Sequence, residues 1–301
     1  MSFANPAFMM VFVATVSLAF KGIFAKLALA AGVTVMAILI FRILFSLPLF
    51  WIGAGIMDRH GLRRLGLHDW GLIGGVGLFF FVATVADFWA IAFVGVSLSR
   101  IVLFTHPLLI VLLSAAVRRE APARRQLIAF AFAYGGLLVI LAPGALGTTM
   151  TADFWIGIGL AFLSAASYAI YLFIGQTQSR RVGSLAYTVA AQSGTAIGML
   201  VYGLLAAEAV DLQFSADGLM WILLLVVIST VLPIFLLIEG IRQIGAEHAT
   251  LLSLIGPVIT VIAAWAILDE NLSLLQAGGF VLVLVGIGIL QTPGKSRQGT
   301  A

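Results

Sequence analysis

Two stretches decide the fold: GVSLSRIVLFTHPLLIVLLSAAVRRE at residues 95–120 and GAEHATLLSLIGPVITVIAAWAILDE at residues 245–270. They start 150 residues apart, and the ungapped shift lays Pro107 on Pro257, Val111 on Val261, Ala116 on Ala266 and Glu120 on Glu270. The register continues through Gln126 and Gln276, Phe130 and Phe280, and Gly136 and Gly286. The chain therefore reads as a duplication. If each copy crosses a bilayer an odd number of times, the second must enter it upside down, the inverted repeat of many secondary transporters.

Composition fixes the setting. Of 301 residues, 62% are hydrophobic and 9% charged, against roughly 25% charged in an average soluble domain. Such a chain cannot cover a water-facing surface. The four histidines are scattered and cysteine is absent, so there is no disulfide framework, no thiolate metal site and no expected cofactor. The basic residues form no surface block of the kind that grips nucleic acid. The N-terminus carries no basic cluster before its first apolar run, so that run reads as an anchor and not as a removable signal.

A helix needs about 20 apolar residues to cross the hydrocarbon core. Windows of that kind fall at 7–29, 34–55, 70–93, 97–117 and 123–141, then at 154–174, 185–206, 218–238, 248–267 and 274–290. The expected fold is thus an all-α polytopic membrane protein with ten transmembrane helices, arranged as two inverted five-helix repeats over residues 1–143 and 144–301. Placing both termini in the cytoplasm puts twelve of the sixteen Lys and Arg residues on that side: Arg59, Arg63, Arg64, Arg118, Arg119, Arg124, Arg125, Arg180, Arg181, Arg242, Lys295 and Arg297. The outer loops then carry only acids, among them Asp153, Glu208, Asp211, Asp217, Asp269 and Glu270. The positive-inside rule selects this orientation in a cell (inner) membrane. The short loops leave no room for a soluble domain, so function must reside within the bilayer.

Ten crossings, a proline within the fourth and ninth, and an acid before the fifth and tenth resemble the EamA-like branch of the drug/metabolite transporter superfamily. The carriers of the likeness are Thr105-His106-Pro107 through Arg119-Glu120, Ile255-Gly256-Pro257 through Asp269-Glu270, and Phe41-Arg42. The resemblance implies a five-plus-five inverted fold around a central cavity lined mainly by crossings one, three, four, six, eight and nine. It also implies transport of amino acids, other small metabolites or drugs, often outward. Phe20 stands where the family often has tryptophan.

Polar groups inside the windows are the candidate site, because an ionisable side chain in hydrocarbon normally faces a cavity or a partner. Lys21, Arg42 and His106 fall about 12–14 Å below the outer ends of their helices at 1.5 Å per residue, the depth at which repeat transporters bind substrate. Lys21 shares a helical face with Ser17 and either contacts substrate or pairs with Asp87. Asp87 either neutralises Lys21, Lys26 or Arg100, or takes part in coupling or substrate binding. Arg42 braces helices or touches substrate; its repeat counterpart is Gln192, at the opposite depth. Lys26, nearer the outer end, is long enough to snorkel to the interface.

His106 precedes Pro107, whose ring frees the Leu103 carbonyl, so the imidazole is either a proton carrier or a satisfied interior ring. Pro107 and Pro257 should kink the fourth and ninth crossings, with Pro233 beside Thr230 in the eighth. Arg100 reads as a gate or interface residue. Trp89, counterpart of Glu239, closes the outside of the cavity or belongs to an interfacial aromatic belt. The second half offers the neutral groups Tyr168, Tyr171, Gln192 and Ser193.

In the first half Lys21, Lys26, Arg42 and Arg100 face a single acid, Asp87, so the interior favours a small anion such as an amino acid or organic acid. The reading is a secondary transporter, an efflux permease moving a small metabolite by alternating access. Its expected partners are a small-molecule substrate and the lipid bilayer, with a coupling proton or exchanged solute and a homodimer as candidates, and no nucleic acid. A channel or structural membrane subunit is the alternative. An enzyme is not expected: H-E-x-x-H, G-x-S-x-G and the phosphate-binding G-x-x-x-x-G-K-[ST] are all missing from the sequence.

Overall fold

The computed structural model describes residues 5–145, 151–205, 215–256, 258–259, 262–263 and 274–291. Pro257 and Glu270 lie outside them, and of Lys26 and Arg100 only the backbone is described. The described residues are helical and hold no strand. In chain order the helices are α1 (Pro6–Ala19), α2 (Lys21–Ala30), α3 (Val35–Met57), α4 (Arg59–Arg64), α5 (Leu67–Leu103), α6 (His106–Arg118), α7 (Arg124–Ala145), α8 (Ala152–Val182), α9 (Ser184–Leu205), α10 (Ala216–Val226), α11 (Leu232–Ile244), α12 (Ala246–Leu252) and α13 (Leu274–Gln291).

Among the described residues six helical runs are long and apolar enough to cross a membrane, and only 39–50% of each such window is buried inside the protein. The remainder, including Leu44, Ile52, Ile197 and Leu200, presents large apolar side chains outward. A surface of that kind is at equilibrium in lipid and not in water. Several helices begin on a side-chain oxygen that accepts an orphan amide proton: Asn5 from Ala7 N, Thr34 from Ala37 N, Thr151 from Phe154 N and Ser215 from Gly218 N. The helix α8 is 31 residues long, about 46 Å at 1.5 Å per residue. Its last turns, with Arg180 and Arg181, therefore run on past the apolar window expected at 154–174.

Helical backbone runs from Leu67 to Leu103 through the loop expected between residues 93 and 97, while the membrane-length stretch ends at Val94. The backbone is not straight. Twelve residues of straight helix separate Cα atoms by about 18 Å, yet Ser99 Oγ donates to Asp87 Oδ1 at 3.3 Å. The chain must double back between them, so α5 holds the third window and the start of the fourth.

Helix pairing follows the duplication. Near the start of α7, Arg125 donates through Nε to the Ile289 carbonyl at 2.6 Å, close to the end of α13. Further along α7, a Cβ on Gly136 would fall 2.5 Å from Gly279 O and 2.8 Å from Val283 N, early in α13. The two helices are antiparallel. A Cβ on Gly286 would likewise fall 2.7 Å from Ala129 O and 2.8 Å from Ala133 N. The 150-residue shift carries Ala129, Ala133 and Gly136 onto Gly279, Val283 and Gly286, so each contact maps onto the other when the halves are exchanged.

The helices α3 and α9 are antiparallel too: Trp51 Nε1 donates to Ser193 Oγ at 3.2 Å, and Ile40 lies against Gly203. The α1–α2 segment runs against α10–α11 through Val11 on Gly240, Phe24 on Trp221 and Ser215 Oγ donating to Ala31 O. Its exchanged partner is α8 against α5, through Gly157 on Val94, Ser164 Oγ donating to Ala83 O at 2.7 Å, and Tyr171 on Phe80.

Charged and polar groups gather at one end of the bundle. There Arg181 pairs with Asp69 at 2.6 Å, Arg242 and Ser184 bind Glu239, Arg118 and Gln126 reach Glu247, and Gln176 Oε1 accepts from Ala246 N. These contacts join the start of α5, the ends of α6, α8 and α11 and the starts of α7, α9 and α12. Asp58 caps α4 by accepting from Gly61 N at 2.9 Å, and Trp51 stacks on Trp70 across the α4 turn at 5.5 Å.

Candidate functional site

Four helical runs are interrupted partway along. Phe20 separates α1 from α2, Phe104–Thr105 separates α5 from α6, a π-helical turn at Val227–Val231 separates α10 from α11, and a 3₁₀ turn at Ser253–Ile255 follows α12. Three of these meet around one turn of α1. Ser229 Oγ donates to the Ser17 carbonyl at 2.8 Å, and Thr15 Oγ1 donates to Ser253 Oγ at 3.4 Å. Broken helices inside a bundle expose backbone carbonyls that only protein, water or ligand can satisfy.

Proline chemistry accounts for two of the breaks. Pro107 occupies the first turn of α6, where its missing amide proton leaves no vacancy. The Leu103 carbonyl it frees is taken by His106, whose Nδ1 lies 2.9 Å away. A carbonyl only accepts, so Nδ1 carries a proton in this arrangement. Tyr134 Oη closes the same helix end by accepting from Leu108 N at 3.3 Å. Pro233 likewise opens α11 directly after the π-helical turn, where Thr230 Oγ1 donates back to Leu225 O at 3.0 Å.

Two polar clusters flank these breaks. The first lies between α3 and α5. Arg42 is buried and interacts electrostatically with buried Asp87; its Nη2 donates to Thr84 Oγ1 at 3.5 Å, and Ser99 donates to the same carboxylate. Lys21 opens α2 directly after the Phe20 break, its Nζ 5.7 Å from the ring centroid of Phe88, the neighbour of Asp87.

The second cluster is aromatic and neutral. The His106 ring meets Tyr168 edge to face at 5.0 Å, Phe80 packs on Tyr168 and Tyr171 at 6.0 and 4.9 Å, and Tyr171 accepts from Gln192 Nε2 at 3.4 Å. Tyr187 Oη donates to the Tyr171 carbonyl at 3.1 Å. Phe80, Thr84 and Asp87 share one face of α5 by their i, i+4, i+7 spacing, so this single face connects the clusters over about 10 Å.

Seven residues expected at the site thus divide between the clusters and the breaks: Lys21, Arg42 and Asp87 in the first cluster, His106, Tyr168 and Gln192 in the second, and Ser17 at the π-helical turn. Trp89 lies at the opposite end of the bundle from the charged network, half exposed, its Nε1 donating to Tyr202 Oη at 2.9 Å. Thr84, Ser99, Phe80, Phe88 and Tyr187 complete the clusters without having been singled out in the sequence. Stepping three and seven residues back from Asp87 would have found Thr84 and Phe80. Ser99 depends on the fold-back of α5, which hydropathy does not reveal.

Among the described residues, two buried polar side-chain atoms have no hydrogen-bond partner, Arg42 Nε and Gln192 Oε1. They belong to residues related by the 150-residue shift. An apolar groove of about 440 Å³ lined by Ala216, Leu219, Met220, Leu223, Leu224, Val227 and Ile228 lies away from both clusters. It faces the side expected to meet lipid.

A helical bundle with broken helices, polar clusters in its interior and an apolar exterior is that of a multi-pass membrane protein. This chain belongs to the EamA-like transporter family, which it matches twice, over residues 5–142 and 155–292. It is 29% identical over 283 residues to the uncharacterized transporter YcbK of Bacillus subtilis (strain 168), covering 91% of this chain and 90% of that protein. The uncharacterized transporter YyaM of the same organism is 24% identical over 74% of this chain and 73% of its own length. One solved crystal structure superposes with a TM-score of 0.78 at 18% identity, covering 95% of this chain and 96% of its own; at that identity the likeness speaks for the fold alone.

Proposed function

We propose that the chain is a secondary transporter that moves a small metabolite across the cell membrane by alternating access. Two five-helix repeats, 1–143 and 144–301, are threaded through the bilayer in opposite senses, giving ten crossings with both termini in the cytoplasm. The observation that carries this reading is the exchange symmetry of the antiparallel α7–α13 contact, Gly136 on Gly279 against Gly286 on Ala129. A two-fold axis relating antiparallel membrane helices lies in the membrane plane, which is the symmetry of an inverted repeat.

The substrate in this reading is a small anion-bearing molecule, an amino acid or organic acid, moved outward. Lys21 and Arg42 outnumber Asp87 in the first cluster, and Tyr168, Tyr171 and Phe80 offer an apolar wall beside it. Membership of a transporter family and likeness to two transporters support this reading; a proton gradient or solute exchange supplies the drive.

Counterflow in proteoliposomes tests the mechanism. Saturable exchange is expected, and ohmic, non-saturating flux would refute it in favour of a channel. For the charge preference, Lys21→Gln is expected to lower uptake of acidic solutes about tenfold relative to cationic ones, about 1.4 kcal/mol of differential interaction. Single-cysteine labelling at positions 120 and 270 with an impermeant reagent tests the topology, since the two must label from opposite sides.

A further inference from the structure

We propose that α4 and its flanks form a binding site for the headgroup of an anionic glycerophospholipid. Depth is set by the side chains around it. Ile56 and Met57 end α3 at 79% and 74% exposure, and Leu67 opens α5 at 93%. Apolar groups so exposed belong against acyl chains, which places the intervening α4 at headgroup level.

Charge is the second observation. Arg59, Arg63 and Arg64 are all exposed and form no ion pair among the described residues. The nearby acids are committed elsewhere: Asp58 to Gly61 N, and Asp69 to Arg181. Leu62 and Leu65 pack against the main core, so the helix is held in place while its arginines stay in the interface. Arg59 and Arg63, four residues apart, share a face, and guanidinium groups grip phosphodiester oxygens in bidentate fashion.

The duplication does not demand this patch. Shifting 59, 63 and 64 by 150 gives Ala209, Gln213 and Phe214, beside the acids Glu208 and Asp211. A positive-inside bias asks only for basic residues somewhere on that side, whereas here three lie on one pinned turn between apolar flanks. Those flanks favour a lipid over free phosphate, which would use the charges alone. The Asp58 cap also abuts the second half, since a Cβ on Gly183 would lie 3.3 Å from Asp58 Oδ2. A headgroup here touches the junction of α8 and α9 as well as α4.

The test is native mass spectrometry of the full-length protein from micelles containing equal phosphatidylglycerol and phosphatidylcholine. Retention of phosphatidylglycerol at least about tenfold above phosphatidylcholine is expected, given roughly five-fold per arginine near an anionic surface. The triple variant Arg59→Gln/Arg63→Gln/Arg64→Gln should lose that preference, the Lys triple should keep most of it, and Arg119→Gln/Arg124→Gln, beside Glu120, should leave it unchanged. Equal retention of both lipids by the wild type, an unchanged preference in the Gln triple, or an equal loss in the Arg119/Arg124 variant would each overturn the site. Displacement of the lipid by millimolar inorganic phosphate would overturn it in favour of a free-anion patch. Should the triple variant not fold, raising salt on the wild type from about 0.01 to about 1 M shortens the screening length from about 30 to about 3 Å; the preference must collapse, and its persistence would count against the site.

Discussion

The two halves share a scaffold and differ in what they put inside it. Where the first half has Lys21, Arg42, Thr84 and Asp87, adding 150 gives Tyr171, Gln192, Ile234 and Leu237 in the second. One cluster is ionic and the other neutral, although the helices that carry them pack by the same exchanged contacts. The backbone symmetry is therefore a property of small residues at helix crossings, while chemistry is free to diverge in the bundle interior. The one trait both sites keep is an unsatisfied buried polar atom, on Arg42 and on Gln192.

The largest effect is expected from breaking the ionic cluster alone. Arg42→Leu removes a buried charge that interacts electrostatically with the buried Asp87 carboxylate, together with its bond to Thr84, and should cost about 3–5 kcal/mol of unfolding free energy. Adding Asp87→Leu should recover part of that loss in reversible denaturant unfolding; a double variant no more stable than the single would remove the electrostatic interaction of Arg42 with Asp87 as the organising one. Next come the glycines. Gly136→Leu and Gly286→Leu should each destabilise by about 1–3 kcal/mol through overpacking, and by similar amounts because their contacts are exchanged copies. Gly135→Ala, with nothing within 4 Å of its Cβ position, is the near-neutral control, and unequal glycine effects would mean that the two-fold contact is not energetically symmetric.

Smaller still is Gln192→Leu, expected to cost about 1 kcal/mol or less, since it removes one weak bond to Tyr171 together with an unsatisfied oxygen. A loss as large as that of Arg42→Leu would show the two clusters to be energetically alike and end the contrast drawn above. Trp89→Phe should change stability by less than about 0.5 kcal/mol, as befits a half-exposed side chain outside both clusters; the thermal midpoint reports it.

Much of this architecture was legible because it rests on periodic apolar windows and on proline. The α6 start at His106 follows from Pro107, and the depth reversal of Arg42 and Gln192 follows from the repeat offset. The break at Phe20 was not legible, since no proline marks it and Gly22 falls inside α2; it lies beside the π-helical turn and the Ser229 hydroxyl, a tertiary neighbour. Nor was α4, which is too short for periodicity to register and depends on the Asp58 cap and on Leu62 and Leu65 finding the core. The partner of Gln192 depended on α8 and α9 meeting at Tyr171, a contact 21 residues away in sequence. Helix identity is written locally, whereas the choice of interior neighbour is made by packing.

The glycine-to-backbone seat between α7 and α13 carries a consequence for biogenesis. Its two sides are separated by roughly 150 residues of translation, which at about 5–20 residues per second occupies about 8–30 s. Throughout that interval a ribosome-bound nascent chain exposes the notch at Gly136 to lipid or to an insertion factor, and the first half is completed only when the last helix arrives.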